Sequence, residues 1–256
     1  MNLGGETIRW NPHIGDEEKE DIAHAEFEEV PGDLINDDNS SEAFRWDREN
    51  YFAKEKERDP SKTIQELTRT GEFDHRLSLY DEHHDTGVHA PTPYCAMINP
   101  ENDQYGDQVI MEFIGGENWT SFPRAFAEGA IVGEDEVKQV AEGLGRYSKI
   151  LENECMGHGD VAWRHFFVNT ENYDLAVIDI EGGTANARPS MIEEERQEIS
   201  EVLDQIPRPQ YEDQIYEWFA EGRESVPEPD ETNLPTSAYD CNGNYGVPEG
   251  ADEMLF

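Results

Sequence analysis

Two carboxylates and a histidine within one short stretch are the residues of this chain best suited to chemistry. The stretch from Gly157 to Gly183 reads GHGDVAWRHFFVNTENYDLAVIDIEGG. Asp160 follows His158-Gly159, His165 lies five residues on, and Asp179 ends the apolar run Leu175-Ala176-Val177-Ile178. A carboxylate can take up a proton or hold a hard cation, and a neutral imidazole can ligate through one ring nitrogen. An apolar strand would otherwise exclude charge, so an aspartate at its end suits a site where a cation balances it. The plain structural readings are a hairpin-capping aspartate and a packed loop histidine. Upstream, Lys54 and Lys56 share one face of the strand-like run YFAKEK at period two, either turned toward a site or solvated.

This stretch resembles the catalytic segment of the protein-kinase-like phosphotransferases, which include RIO-type, aminoglycoside-phosphotransferase and lipopolysaccharide-core kinases. There an HGD or HRD triplet supplies the base, a metal ligand follows five residues later, and a second strand ends in a metal-binding aspartate. The resemblance implies that Asp160 is the catalytic base and that Asp179 binds the Mg2+ (or Mn2+) bridging the phosphates of ATP. It also implies that His165, where most of the superfamily has asparagine, is a metal ligand or phosphate contact. It spans roughly residues 27–206 and places Lys54 against the α- and β-phosphates, with Glu72 as its partner and Glu66 as the alternative. Met111 takes the position guarding the adenine pocket, and the backbone of Glu112 to Ile114 the adenine-binding position. The phosphate-covering loop departs from the pattern: Gly32 to Ser41 has no GxGxxG, leaving Ser40, Ser41 and backbone N–H groups to cover phosphates.

These residues need a frame. FEEV, EAFRWD and YFAKEK read as an antiparallel meander, followed by a helix over about 62–85, the proline-marked VHAPTPYCAMI, and the strand QVIMEFI ended by Gly115-Gly116. Val137, Val140, Ala141, Leu144, Tyr147 and Leu151 recur at helical spacing over 134–153. The strands HFFVN and LAVIDI, a helix over 190–205 and an amphipathic segment over 211–220 complete the order. The expected architecture is α+β and two-lobed, a protein-kinase-like fold with a small antiparallel-sheet N-lobe carrying one helix and a mainly helical C-lobe. Its expected divisions are an acidic extension over 1–26, an N-lobe over 27–114, a C-lobe over 115–221 and an acidic flexible tail over 222–256.

Composition narrows the partners. Against 59 acidic residues stand 19 basic ones, for a formal net charge of −40. Nucleic acid is bound through clustered Lys and Arg, and no basic stretch occurs, so neither nucleic acid nor an acidic membrane surface is an expected partner. Five Trp, ten Tyr and eleven Phe argue for a folded chain, and acids scattered through every segment fit a halophile's surface. No signal-peptide core or run of about 18 apolar residues occurs, so the expected location is the cytoplasm. Cys95, Cys155 and Cys241 are widely spaced and read as thiols. His83, His84 and His89 match no zinc spacing and read as helix-end and loop residues. Trp119, Trp163 and Trp218 read as packing residues, Trp163 also as a border of the acceptor site.

The resulting expectation is an ATP- and Mg-dependent kinase that passes the γ-phosphate to a hydroxyl of a protein or small molecule. A pseudokinase serving as a nucleotide-binding or scaffold module is the alternative.

Overall fold

The computed structural model describes residues 7–29, 43–46, 51–56, 85–98, 107–115, 118–179, 184–185 and 187–228. Strands β1 (Thr7–Trp10), β2 (Glu28–Glu29), β3 (Ala43–Trp46) and β4 (Tyr51–Lys56) precede the short β5 (Val88–His89), β6 (Pro93–Ile98) and β7 (Asp107–Glu112). Six of these form one antiparallel sheet in the order β1-β6-β7-β4-β3-β2. In β4, Tyr51 and Ala53 are buried while Phe52 and Lys54 are half-buried, the period-two alternation that separates Lys54 from the sheet's core face. The core face holds Ile14, Ile22, Tyr51, Tyr94 and Ile110, with Trp10 and Phe27 packed against them.

Residues 1–26 read as an extension, yet two elements there belong to the fold. β1 pairs with β6 from Thr7↔Ile98 to Trp10↔Cys95, and α1 (Asp16–His24) buries Ile22 in the same core. The expected N-lobe boundary at residue 27 therefore moves toward the N-terminus.

A second core is built mainly from helices: α2 (Phe122–Glu128), α3 (Glu134–Asn153), α4 (Pro189–Asp204) and α5 (Glu212–Ser225). In α3, all six residues at the expected helical spacing are buried. Asp and Glu fill its first turn, where the helix dipole favours negative charge. α3 and α5 cross at two glycines: a Cβ on Gly145 would meet the Phe219 carbonyl oxygen at 2.1 Å, and one on Gly222 the Glu142 carbonyl oxygen at 2.1 Å. α5 runs to Ser225 and Val226 beyond it is buried, so the packed structure extends past the expected boundary at residue 221.

Against these helices lies a sheet of β5, β11 (Leu175–Val177), β10 (Phe166–Asn169) and β8 (Trp119–Ser121), in that order. A two-stranded ladder joins β9 (Met156–Gly157) to β12 (Thr184–Ala185). Two separate cores, one in a six-stranded antiparallel sheet and one among helices, make this an α+β, two-lobed, kinase-like architecture. Cys95 is a buried free thiol, whereas Cys155 is disulfide-bonded, which corrects its reading as a thiol. Among the described residues no helix is long and apolar enough to cross a membrane.

Candidate active site

Three local devices bring the polar residues of the stretch together. First, the β10–β11 hairpin sets its two ends side by side, Phe166 opposite Val177, so the residues flanking them are neighbours. His165, ending the 3-10 turn Trp163–His165, precedes one strand and Asp179 follows the other. The Ile178 N–H donates to the His165 carbonyl at 2.9 Å and extends the hairpin by one bond. Asp179 then adopts φ 63°, a left-handed conformation that aspartate tolerates better than most residues.

Second, the His158-Gly159-Asp160 turn is held by the rings of two histidines. The Asp160 N–H donates to His158 Nδ1 at 3.2 Å, and His158 Nε2–H donates to the Ile178 carbonyl at 3.2 Å. A carbonyl only accepts, so these partners fix the tautomer. His158 is fully buried and stacks on His165 with ring centres 5.9 Å apart. Burial, followed by the neighbouring His165, lowers its pKa to about 4, so it is neutral. His165 in turn sets Nδ1 2.8 Å from the Asp160 carbonyl, which makes Nδ1 the donor and leaves Nε2 3.3 Å from Asp179 Oδ2.

Third, the sheet delivers a cation. Lys54 Nζ lies 2.8 Å from Asp179 Oδ1, with the lysine side chain 11% exposed. Burial pushes the Asp179 carboxyl up, but the Lys54 charge and hydrogen bond outweigh it and hold the group below the usual carboxylate range. Asp160 keeps its carboxylate in solvent, 3.6 Å from Arg164.

One ligand atom each from Asp160, His165 and Asp179 lies within 4.8 Å of the others. Two carboxylates and an imidazole at that spacing could serve as ligands to a metal ion.

The sequence-derived candidates fall into three groups. Lys54, Asp160, His165 and Asp179 converge. Met111, Glu112 and Ile114 sit at the end of β7, where Ile114 is buried and Met111 packs on Ala96 and Val109. The Glu112 N–H donates to the Thr92 carbonyl at 2.8 Å, and its carboxylate accepts from the Thr92 N–H and hydroxyl. Ser40, Ser41, Glu72 and its alternative Glu66 lie outside the described residues, as do His83 and His84. His89 is 3.6 Å from Asp174 and edge-on to Trp119. Trp163 packs on Phe122 and Phe126, and Trp218 on Tyr211.

One residue escaped the sequence reading. Glu195 of α4 is buried at 6% exposure, and its Oε1 accepts the Gly159 N–H at 2.7 Å. Its signal was position: it shares a helical face with the buried Ile199 and Val202.

Residues 41–204 match the family model described as the lipopolysaccharide kinase (Kdo/WaaP) family. The comparison with curated proteins gave no match. Among solved structures, one similar chain is described as WaaP in complex with acyl carrier protein. It shares 13% identity over 82% of this chain and 92% of that one, at a TM-score of 0.41.

Proposed function

We propose, from the premise that this chain belongs to the lipopolysaccharide kinase (Kdo/WaaP) family and is a phosphotransferase, that it moves the γ-phosphate of ATP to a sugar hydroxyl. The convergence of Lys54, Asp160, His165 and Asp179 from separate elements carries this reading. The family description supplies the sugar as acceptor class.

The geometry supports the following roles. Asp160, with its carboxylate 59% exposed, is open to an incoming acceptor; it accepts the hydroxyl proton and aims the oxygen at the phosphorus. Its backbone is held on both sides of the residue, by His158 at the N–H and by His165 at the carbonyl, so the base needs little reorganisation. Asp179 Oδ2 and His165 Nε2 would hold the Mg2+ or Mn2+, which when bound neutralises phosphate charge. Lys54 Nζ, now on Asp179 Oδ1, is within reach of phosphate oxygens placed between the lobes. Adenine belongs at the end of β7, near Ile114, and Ser40 and Ser41 remain the phosphate-covering candidates, with Glu72 as partner to Lys54. The −40 charge fits a surface adapted to molar salt in a cytoplasm.

The test is γ-labelled ATP turnover in molar KCl with Mg2+ or Mn2+, offering sugar acceptors and protein acceptors side by side. Label on a sugar, lost in Asp160→Ala, is expected. Label on protein alone would move the acceptor class, and nucleotide binding without any transfer would return the pseudokinase alternative.

A further inference from the structure

Of the three cysteines, Cys95 is a free thiol and Cys155 is disulfide-bonded, so the count leaves Cys241 as the partner. Cys241 lies outside the described residues, which end at residue 228. Up to that point the chain runs along the end of α3. Val226 is buried, the Pro227 carbonyl accepts from Asn153 Nδ2 at 3.0 Å, and Glu228 is 3.1 Å from Lys149. Arg223 donates to Ser148 and Glu152 on the last turns of the same helix. Pro227 therefore sits beside Asn153, and Cys155 is only two residues further on. The 14 residues from Pro227 to Cys241 can reach up to about 46 Å when extended, far more than a return to Cys155 requires.

Cys155 occupies a junction of the candidate active site. Its carbonyl accepts the Ala187 N–H at 2.6 Å, and the next two residues, Met156 and Gly157, pair with Ala185 and Thr184. That ladder joins the strand entering the His158-Gly159-Asp160 turn to the segment that follows Asp179. Cys155 itself has φ +52°, in the left-handed region where a residue other than glycine, asparagine or aspartate is uncommon. Such a backbone persists where its surroundings hold it, and a covalent tie at Cys155 is one such restraint. Residues 223–228 are already held on α3 by the bonds above, so docking of that segment does not depend on the link.

We infer that Cys155 and Cys241 form a reversible disulfide whose oxidation state sets the order of the catalytic turn, the oxidised form being the active one. The catalytic part rests on the reading of Asp160 as base. Opening takes a dithiol reductant. Cys155 is buried, so a thiolate of the reductant attacks the Cys241 sulfur; the S–S bond breaks and its electron pair leaves on Cys155 Sγ, which takes up a proton. The second thiolate of the reductant then displaces Cys241 from the mixed disulfide. The protein gains two electrons and two protons, and the reductant leaves as its own disulfide. Cys95 takes no part, since burial pushes its thiol up to about 12 and keeps it from forming the thiolate that exchange needs. In a reducing compartment disulfides are mostly transient or redox-sensing, which fits the cytoplasmic location proposed above.

Mass mapping reads the bond without turnover. Full-length protein purified without reductant is unfolded in N-ethylmaleimide and digested. A linked peptide pair carrying Cys155 and Cys241 is expected, with maleimide on Cys95 alone; after dithiothreitol all three cysteines carry it. Three alkylated cysteines without reductant, even after incubation with oxidised glutathione, would overturn the inference, as would a link through Cys95 or between two chains.

Hydrogen exchange and turnover read the coupling. On reduction the amides of Met156 to Asp160 are expected to exchange at least about tenfold faster, since exchange follows local opening. The kcat is expected to fall about tenfold with KM for ATP unchanged, within the roughly hundredfold that a misplacement of about 1 Å can cost. Both return on reoxidation, and Cys241→Ser keeps the reduced values with or without dithiothreitol. Unchanged exchange, an unchanged kcat in a wild type that transfers phosphate, or a Cys241→Ser variant that still responds to reductant would leave no redox control. A wild type with no transfer in either state but the expected exchange pattern would instead sink the functional reading and leave the disulfide and its hold on the turn standing.

Discussion

Lys54 and Asp179 meet at 2.8 Å although 125 residues separate them, and the contact ties the six-stranded sheet to the end of the β10–β11 hairpin. The lysine charge is the main influence holding the Asp179 carboxyl ionised against its burial. Each residue removes a different part of the charge balance expected around the phosphates. Lys54→Met and Asp179→Asn are both expected to lower kcat by about 100- to 1000-fold, the range for losing one preorganised electrostatic group. Labelled-phosphate transfer, with melting curves to confirm folding, decides it; losses below about tenfold in both would place the chemistry elsewhere.

His165 bears on the choice of metal. Because the Asp160 carbonyl takes the Nδ1 proton, Nε2 is the ring nitrogen that faces Asp179 Oδ2, 3.3 Å away. Mg2+ favours oxygen donors in a near-ideal octahedron, whereas first-row transition ions accept imidazole readily. Wild type is expected to bind Mn2+ more tightly than Mg2+ in the presence of a nonhydrolysable ATP analogue. His165→Asn should narrow that preference by about tenfold, the lower end of what a change in metal surroundings costs. The nitrogen coupling of imidazole in the electron spin echo of bound Mn2+ should vanish in the same variant. A coupling that persists would show that another ligand holds the ion.

The convergence of these side chains was more legible in the sequence than the frame around it. His158-Gly159-Asp160, His165 and Asp179 sit within one stretch whose local hairpin closes them together, so their meeting follows from short-range structure. The α3 positions were legible because burial repeats every three to four residues over twenty. β1 was not: four residues, Thr7–Trp10, are too few for a periodic signal, and their pairing with β6 is a long-range event. Glu195 was hidden for a different reason. In a chain with 59 acidic residues a glutamate reads as solvated surface, and only the helix packing shows that this one faces inward.

A pH dependence of stability follows from His158. Its folded pKa, about 4, lies below the ordinary 6.5 because burial disfavours the imidazolium. As pH falls through 6.5 the unfolded chain takes up the proton first, so stability is present above the unfolded value and is lost toward about 4. The 2.5-unit gap corresponds to about 3 kcal/mol when complete. Urea unfolding of wild type and His158→Gln across this window is the check. The wild-type curve is expected to fall more steeply on acidification, and parallel curves would show that His158 is not held neutral.

Salt should act in the opposite sense from its usual effect on ion pairs. With a net charge of −40, self-repulsion opposes the compact state, and raising KCl from about 0.1 M to about 1 M cuts the screening length from about 10 Å to about 3 Å. The melting temperature is expected to rise monotonically over that range. A flat or falling curve would remove the case for a salt-adapted surface and require another account of the acids.

The α3–α5 crossing gives the sharpest structural prediction, because each helix presents a glycine to the other's backbone. A Cβ at Gly145 would stand 2.1 Å from the Phe219 carbonyl oxygen and 3.0 Å from the Arg223 nitrogen; at Gly222 it would stand 2.1 Å from the Glu142 carbonyl oxygen. These obstacles are backbone atoms, so a rotamer change cannot relieve them and the helices must separate. In an exposed helix Gly→Ala would stabilise by up to about 1 kcal/mol. Here the sign reverses, and Gly145→Ala and Gly222→Ala are each expected to cost about 1–3 kcal/mol, the range for overpacking a core. The double variant should cost less than the sum, since one separation of the helices relieves both clashes. Denaturant unfolding of the three variants tests this, and a neutral or stabilising Gly145→Ala would mean that the helices do not approach this closely.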